Sequence, residues 1–229
     1  MSAFTREAYR KLVHVALSLL LMLPYFCALP QPLNIYLYYA LGLLAAAALN
    51  AIAAKRVVLR RRLAVFRRDL EAHISSLGDQ LRGPLKAFEE AMENIFNFVE
   101  QQIELLERDY EKREGYVGLL YGIIGGVTSL LLSPCHALYG LLAIAVVDPA
   151  ASLSNLAIGR EKSLAGDALA ALAYSLLLLS LSTPAVGSVV LSLVAALAEY
   201  LSPEDNLTIP VFTTLAALAL GLPARCPLR

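Results

Sequence analysis

The chain alternates apolar runs with one long polar interruption. Apolar stretches near the length that spans a bilayer fall at about 12–29, 33–54, 116–133, 136–158, 164–182, 186–201 and 207–222. Each is read as a helix, because the period-2 alternation of a barrel strand is missing. The fourth run contains Asp148 and the sixth is short, which keeps open six spans plus a re-entrant segment. The expected fold is all-α: a polytopic membrane helix bundle of about seven spans with an inserted cytoplasmic antiparallel helical hairpin.

The hairpin is expected at 55–115, dividing the chain into 1–54, the first two spans; 55–115; and 116–229, a five-span bundle that would carry catalysis. Leu59, Leu63, Phe66, Leu70, Ile74, Leu77 and Leu81 recur at helical-seam spacing. Leu85, Phe88, Met92, Phe96 or Ile95, Val99, Ile103, Leu106 and Tyr110 do so after "RGP". Gly78, Gly83 and Pro84 break the pattern between the two seams. The simplest role is structural, including a homodimer contact, and His73 reads as a solvated residue. In the third run Gly118, Gly122 and Gly126 lie four apart, a spacing that lets helix backbones approach.

Composition agrees with a membrane protein: 58% of the 229 residues are hydrophobic and mean hydropathy is +0.62. The first run lacks the small-x-small pattern of a cleaved signal around Cys27. Net charge is zero, but its distribution is uneven. Of the 19 Lys and Arg, all but Arg225 and Arg229 lie in the N-terminal tail, in 55–115 or in the 159–163 loop. The positive-inside rule then puts the N-terminus in the cytoplasm and the C-terminus outside, in the cell membrane. Cys27, Cys135 and Cys226 all map near the outer face, where a Cys135–Cys226 disulfide and three unpaired thiols are both open readings.

Ionisable residues within apolar runs are costly and so become functional candidates. Glu7, Arg10, Lys11 and His14 sit at i, i+3, i+4 and i+7 and share one helix face. Asp148 lies in the fourth run, Glu199 ends the sixth, and Asp205 and Asn206 open the seventh. Alternating the spans brings all of these, with Arg160 and Lys162, toward the cytoplasmic side. Simpler roles exist for single members. Asp148-Pro149 fits a helix N-cap with proline at the first helical position, and Asp205 or Asn206 can cap the last helix. Asn206-Leu207-Thr208 matches a glycosylation sequon that cytoplasmic placement would leave unmodified. Carboxylates at a membrane surface can hold Mg²⁺, and Arg10, Lys11, Arg160 and Lys162 can neutralise phosphates. The mixture suits phosphoryl or nucleotidyl transfer. No Walker loop, dinucleotide fingerprint or Ser-His-Asp arrangement is visible, and no nucleic-acid partner is expected.

These residues resemble the motifs of an integral-membrane family of dolichol kinases, phytol kinases and CTP-dependent diacylglycerol kinases, related to the CTP-dependent phosphatidate cytidylyltransferases. The family's E-x-x-R-K-x-x-H opening is similar to Glu7, Arg10, Lys11 and His14, and its Gly-Asp-x-x-Ala stretch to "VDPAASLSNLAIG", with Asp148, Ala151 and Gly159. Lys162, Ser163 and Gly166 resemble the Lys-Ser-x-x-Gly that follows; Glu199, Asp205, Asn206 and Pro210 resemble the closing motif. A fainter likeness is "YGIIG" at Tyr121 and Gly125. Val147 and Asn155 stand where the family carries glycine, and the connection from Gly159 to Lys162 is short.

The resemblance covers about 1–25 and 114–222 and implies transfer of the γ-phosphoryl of CTP, with Mg²⁺, to an isoprenoid or other lipid alcohol. It implies Asp148 and Asp205 as metal ligands, with one of them or Glu199 accepting the hydroxyl proton. Arg10, Lys11 and Lys162 would hold phosphates, Asn206 would support the metal or nucleotide, and Glu7 with His14 would orient the basic pair. The alternatives are a cytidylyltransferase acting on a lipid phosphate, and a membrane transporter or scaffold without catalysis.

Overall fold

The computed structural model describes residues 3–55, 117–160 and 162–228, together with Val65, Ala87, Glu90, Ala91, Asn94, Ile95, Asn97, Phe98 and Gln101. The rest of the expected hairpin lies outside the described residues; those named within it are helical. The chain divides into two compact units, Met1–Ala46 with Gly118–Arg229, and Ala47–Val117.

Seven helices match the seven apolar runs in order, and among the described residues there is no strand: α1 Ala3–Phe26, α2 Ile35–Ala54, α3 Val117–Leu132, α4 Ala137–Ile158, α5 Leu164–Ser180, α6 Ala185–Leu201 and α7 Asp205–Ala219. Only α2 and α4 are both long and apolar enough to cross a membrane; α3, α5 and α6 are apolar but shorter. By length and hydropathy, then, two of the seven expected spans meet the criterion.

In the larger unit α4 is the central helix, packed against α1, α5, α6 and α7. Every side chain from Ala137 to Ala145 is buried, as an apolar-all-round helix requires. The register with α1 is antiparallel: Glu7 meets Ser152, Lys11 meets Asp148, His14 meets Ile144, and the Tyr25 hydroxyl donates to Pro134 O at 2.8 Å. Pro24 has no N–H to offer the carbonyl four residues back, and the Tyr38 hydroxyl of α2 donates to that Leu20 O at 2.6 Å. Tyr39 repeats the contact at Leu21 O, 2.7 Å away.

Two sequence expectations are corrected. Asp148-Pro149 does not begin a helix: α4 runs unbroken through Pro149, with His136 at its N-cap. Among the α3 glycines, Gly122 has open space around its Cα, whereas a Cβ on Gly125 would come within 2.8 Å of Asn206 O and of the Pro210 ring. The second close approach is at Gly140 of α4, where a Cβ would overlap Pro210 O and Thr214 Oγ1 of α7. Small residues here let backbones meet directly.

The end of the bundle at the α3–α4 connection is closed by the C-terminal tail. Cys135 and Cys226 form a disulfide, resolving the open pairing, while Cys27 is free and exposed. Arg225 N donates to Cys135 O at 2.8 Å, the Arg225 guanidinium bonds Leu181 O and lies 5.9 Å from the Tyr139 ring centroid, and His136 Nε2 meets Leu222 O at 3.0 Å.

Gly140→Ala is expected to lower stability by about 1–3 kcal/mol through overpacking. Gly122→Ala should leave it unchanged or raise it, since alanine is the better helix former. Thermal unfolding of both variants in detergent checks the contrast.

Candidate functional site

A charge inside an apolar bundle needs a partner, and the α1–α4 register provides one. Lys11 Nζ donates to Asp148 Oδ1 at 2.5 Å, and the two residues are 4% and 2% exposed. His14, one turn further along α1, places Nε2 at 3.4 Å from Asp148 Oδ2 and 3.3 Å from Ile144 O. One turn in the other direction Glu7 accepts from Arg10 and from Ser152 Oγ, the latter at 2.5 Å. Burial alone would raise the Glu7 carboxyl. The hydrogen bonds from Arg10 and Ser152, with the charges of Arg10 and Lys11, outweigh it and hold the group below its ordinary value.

A second polar group forms where α4 ends and α5 begins. Gly159 adopts φ +76°, the left-handed turn that closes a helix, and its N–H returns to Leu156 O. Ser163 then caps α5: its hydroxyl accepts from Gly166 N at 3.1 Å and donates to Asn155 Oδ1 at 2.5 Å. Gly166 is required, because a Cβ there would overlap the Asn155 amide. Asn155 thus ties the end of α4 to the start of α5. Lys162 reaches across to the end of α6, with Nζ 2.5 Å from Glu199 O, 3.2 Å from Ser202 O and 3.8 Å from Glu199 Oε1. The Glu199 carboxyl also faces Asp167 of α5 and lies within the field of Asp205. Asp148, Ser152 and Asn155 share one face of α4, so a single polar stripe borders both groups.

The expected residues therefore fall into two sets. Glu7, Arg10, Lys11, His14 and Asp148 come together on α1 and α4; Lys162 of the α4–α5 connection, Glu199 of α6 and Asp205 of α7 come together in the second. Arg160 is exposed in the α4–α5 connection. Asn206 Oδ1 is buried without a hydrogen-bond partner among the described residues. Sequence reasoning missed Asp167 and Ser152. Asp167 did carry a signal, as an ionisable residue one turn into an apolar run; Ser152 carried none, because serine is unremarked in such a helix.

Asp148 and Asp205, expected to share a metal, have different neighbours. The Asp148 oxygens face Lys11 and His14, while Asp205 Oδ1 accepts the Asn206 N–H at 2.8 Å and its carboxyl acts on Glu199. Among the described residues no three His, Cys, Asp or Glu side chains are grouped to hold a metal ion. Mg²⁺ needs fewer: one or two carboxylates suffice, with water and phosphate oxygens completing its shell. The carboxylates that fit are those lacking donors, Asp167 through both oxygens and Glu199 through Oε2.

Removing one partner of the Lys11–Asp148 pair strands a buried charge. Lys11→Met or Asp148→Asn alone should cost about 3–5 kcal/mol, and the double variant much less than their sum. A double-mutant cycle on unfolding in detergent reads this. Comparison with family models, with curated proteins and with solved structures returns no match to this chain.

Proposed function

We propose that the chain is an integral-membrane lipid-alcohol kinase that transfers the γ-phosphoryl of CTP to the hydroxyl of dolichol or another polyprenol. The observation that carries this reading is the buried Lys11–Asp148 pair with His14 alongside, in a bundle whose exposed large apolar side chains are mostly leucine. Leu12, Leu19, Leu41, Leu172, Leu193 and Leu215 are among the exposed apolar side chains. Such a surface is at home against acyl chains, where a long isoprenoid tail also resides.

Two observations support insertion with the charged end in the cytoplasm. Nearly all Lys and Arg belong to the first turns of α1 and the connections after α2 and α4. The disulfide joins the opposite end of α4 to the C-terminal tail, and disulfides persist on the oxidising side of a membrane. Helices of 15–17 residues extend roughly 24 Å, short of the roughly 30 Å hydrocarbon core, so their polar ends would reach the headgroups where the bilayer thins around the bundle.

In the transfer the lipid hydroxyl oxygen bonds to the γ-phosphorus as the bond to CDP breaks, and the hydroxyl proton passes to a carboxylate. Asp148 is the acceptor we assign. When the triphosphate draws the Lys11 ammonium onto its oxygens, Asp148 loses its cation and becomes basic enough to take the proton. His14 keeps the carboxylate oriented. Arg10, held by Glu7, and Lys162, held at the end of α6, are placed to meet further phosphate charge. Mg²⁺, when bound, supplies positive charge to the phosphates. CTP as donor rests on the motif resemblance.

Purified protein in detergent, given γ-labelled CTP, Mg²⁺ and a panel of polyprenols and diacylglycerol, should label the lipid. Label from α-labelled CTP with a lipid phosphate acceptor and release of pyrophosphate would instead identify a cytidylyltransferase. No transfer from either position would turn the reading to a transporter or scaffold. The charge-neutral Lys11→Met/Asp148→Asn double variant should stay folded and lose roughly 10²- to 10⁴-fold in transfer, the range general-base removal costs.

A further inference from the structure

The second polar group contains a buried acceptor pair that the proton-transfer scheme does not use. α5 and α6 are neighbours joined by the short turn 181–184, so they run antiparallel. Asp167 and Glu199 lie almost equally far from that turn, so the hairpin brings them level. Lys162 confirms the register by bonding Glu199 O from the start of α5. Both carboxylates are 4% exposed, and Asp167 Oδ1, Asp167 Oδ2 and Glu199 Oε2 are buried with no hydrogen-bond donor among the described residues. The two carboxyls meet each other in a side-chain hydrogen bond, which takes one proton between them. Losing that proton would leave two buried like charges side by side, and Lys162 at 3.8 Å from Glu199 Oε1 offsets only one of them, so a cation is the natural replacement for the proton.

We infer that Asp167 and Glu199 together hold a divalent cation of the Mg²⁺ type, so that the metal belongs to the α5–α6 hairpin and Asp148 is left free of it. Oxygen-only donors suit a hard cation, and two protein carboxylates leave its remaining positions to water and phosphate oxygens. Asn206 Oδ1, one residue beyond Asp205, is another buried oxygen without a donor. Asp148 is a poorer ligand because an ammonium already occupies one oxygen and an imidazole faces the other. The choice of Mg²⁺ as the cation rests on the phosphoryl-transfer reading; the two-carboxylate site itself does not.

The test uses full-length protein in detergent without nucleotide, with Mn²⁺ as the probe. Free Mn²⁺ is followed by its electron paramagnetic resonance signal and bound Mn²⁺ is displaced with Mg²⁺. Wild type should bind one ion, and Asp167→Asn and Glu199→Gln should each weaken binding by at least roughly tenfold, the scale on which even an outer partner affects a metal site. The Lys11→Met/Asp148→Asn double variant should bind as wild type does. Metal-free Asp167→Asn should unfold no lower than metal-free wild type, because the amide can keep the hydrogen bond to Glu199 without a shared proton, and should lose the rise in Tm that Mg²⁺ gives wild type. A side chain needed only for packing would do the reverse. The inference is overturned if wild type binds no Mn²⁺ at millimolar concentration, if Asp167→Asn binds as wild type does, or if the Lys11/Asp148 double variant loses binding. Metal binding without γ-label transfer would remove the kinase reading and leave the cation site standing; transfer with the same Mg²⁺ dependence in Asp167→Asn would do the opposite.

Discussion

The Lys11–Asp148 pair is the constraint around which the larger unit is organised. An ammonium and a carboxylate buried at 4% and 2% exposure survive only as a matched pair, and matching them fixes the register of α1 on α4. Every other polar contact between the two helices follows from that register. Glu7 falls opposite Ser152, His14 opposite Ile144 and Tyr25 opposite Pro134, each one or more turns away along the same antiparallel seam. A slip by one turn would set Lys11 against Ile144 or Ser152 in place of Asp148. The pair therefore supplies specificity to a contact that apolar packing alone would leave free to slide.

The two ends of α4 are held by different chemistry. At its start, a disulfide, a tyrosine carbonyl–hydroxyl chain and the Arg225 guanidinium fasten the C-terminal tail across the bundle. At its other end, closure depends on a glycine turn at Gly159 and on the Asn155–Ser163 hydrogen bond. Between them, Gly140 lets α7 press onto α4 and thereby positions Asp205 at the α7 N-terminus. The covalent end is braced. The polar end is made only of hydrogen bonds and ion pairs, which can exchange partners.

Sequence patterning located all seven helices, because apolar runs bounded by Pro, Gly and polar clusters leave little choice of element. It also found Glu7, Arg10, Lys11 and His14 as one face, since helical spacing is a local property. It failed where the deciding contact was distant. Pro149 reads as a helix start on local rules, yet α4 continues through it because packing on four neighbouring helices outweighs one missing hydrogen bond. Gly122 and Gly125 cannot be ranked without knowing where α7 lies. Asp167 gains meaning only from Glu199, on the far side of a hairpin turn. Of the described helices α2 and α4 are both long and apolar enough to cross a membrane, whereas α1 is longer but carries charge and α3, α5, α6 and α7 are shorter, so about seven full spans are not reached.

On the proposed reading, the ion pairs also account for how a strongly charged nucleotide could be selected. Each basic group assigned to phosphate already has an acidic partner: Lys11 has Asp148, Arg10 has Glu7 and Lys162 has Glu199. Binding must therefore exchange partners rather than fill an empty cationic pocket. A single phosphate cannot compensate several broken pairs at once, whereas a metal-bound triphosphate presents enough charge along its length to engage them in turn. Each exchange frees a carboxylate. Those liberated oxygens are then available to hold a cation or to take a proton from an approaching hydroxyl, so the bundle keeps these three cations paired at rest and becomes reactive only when the polyphosphate is present.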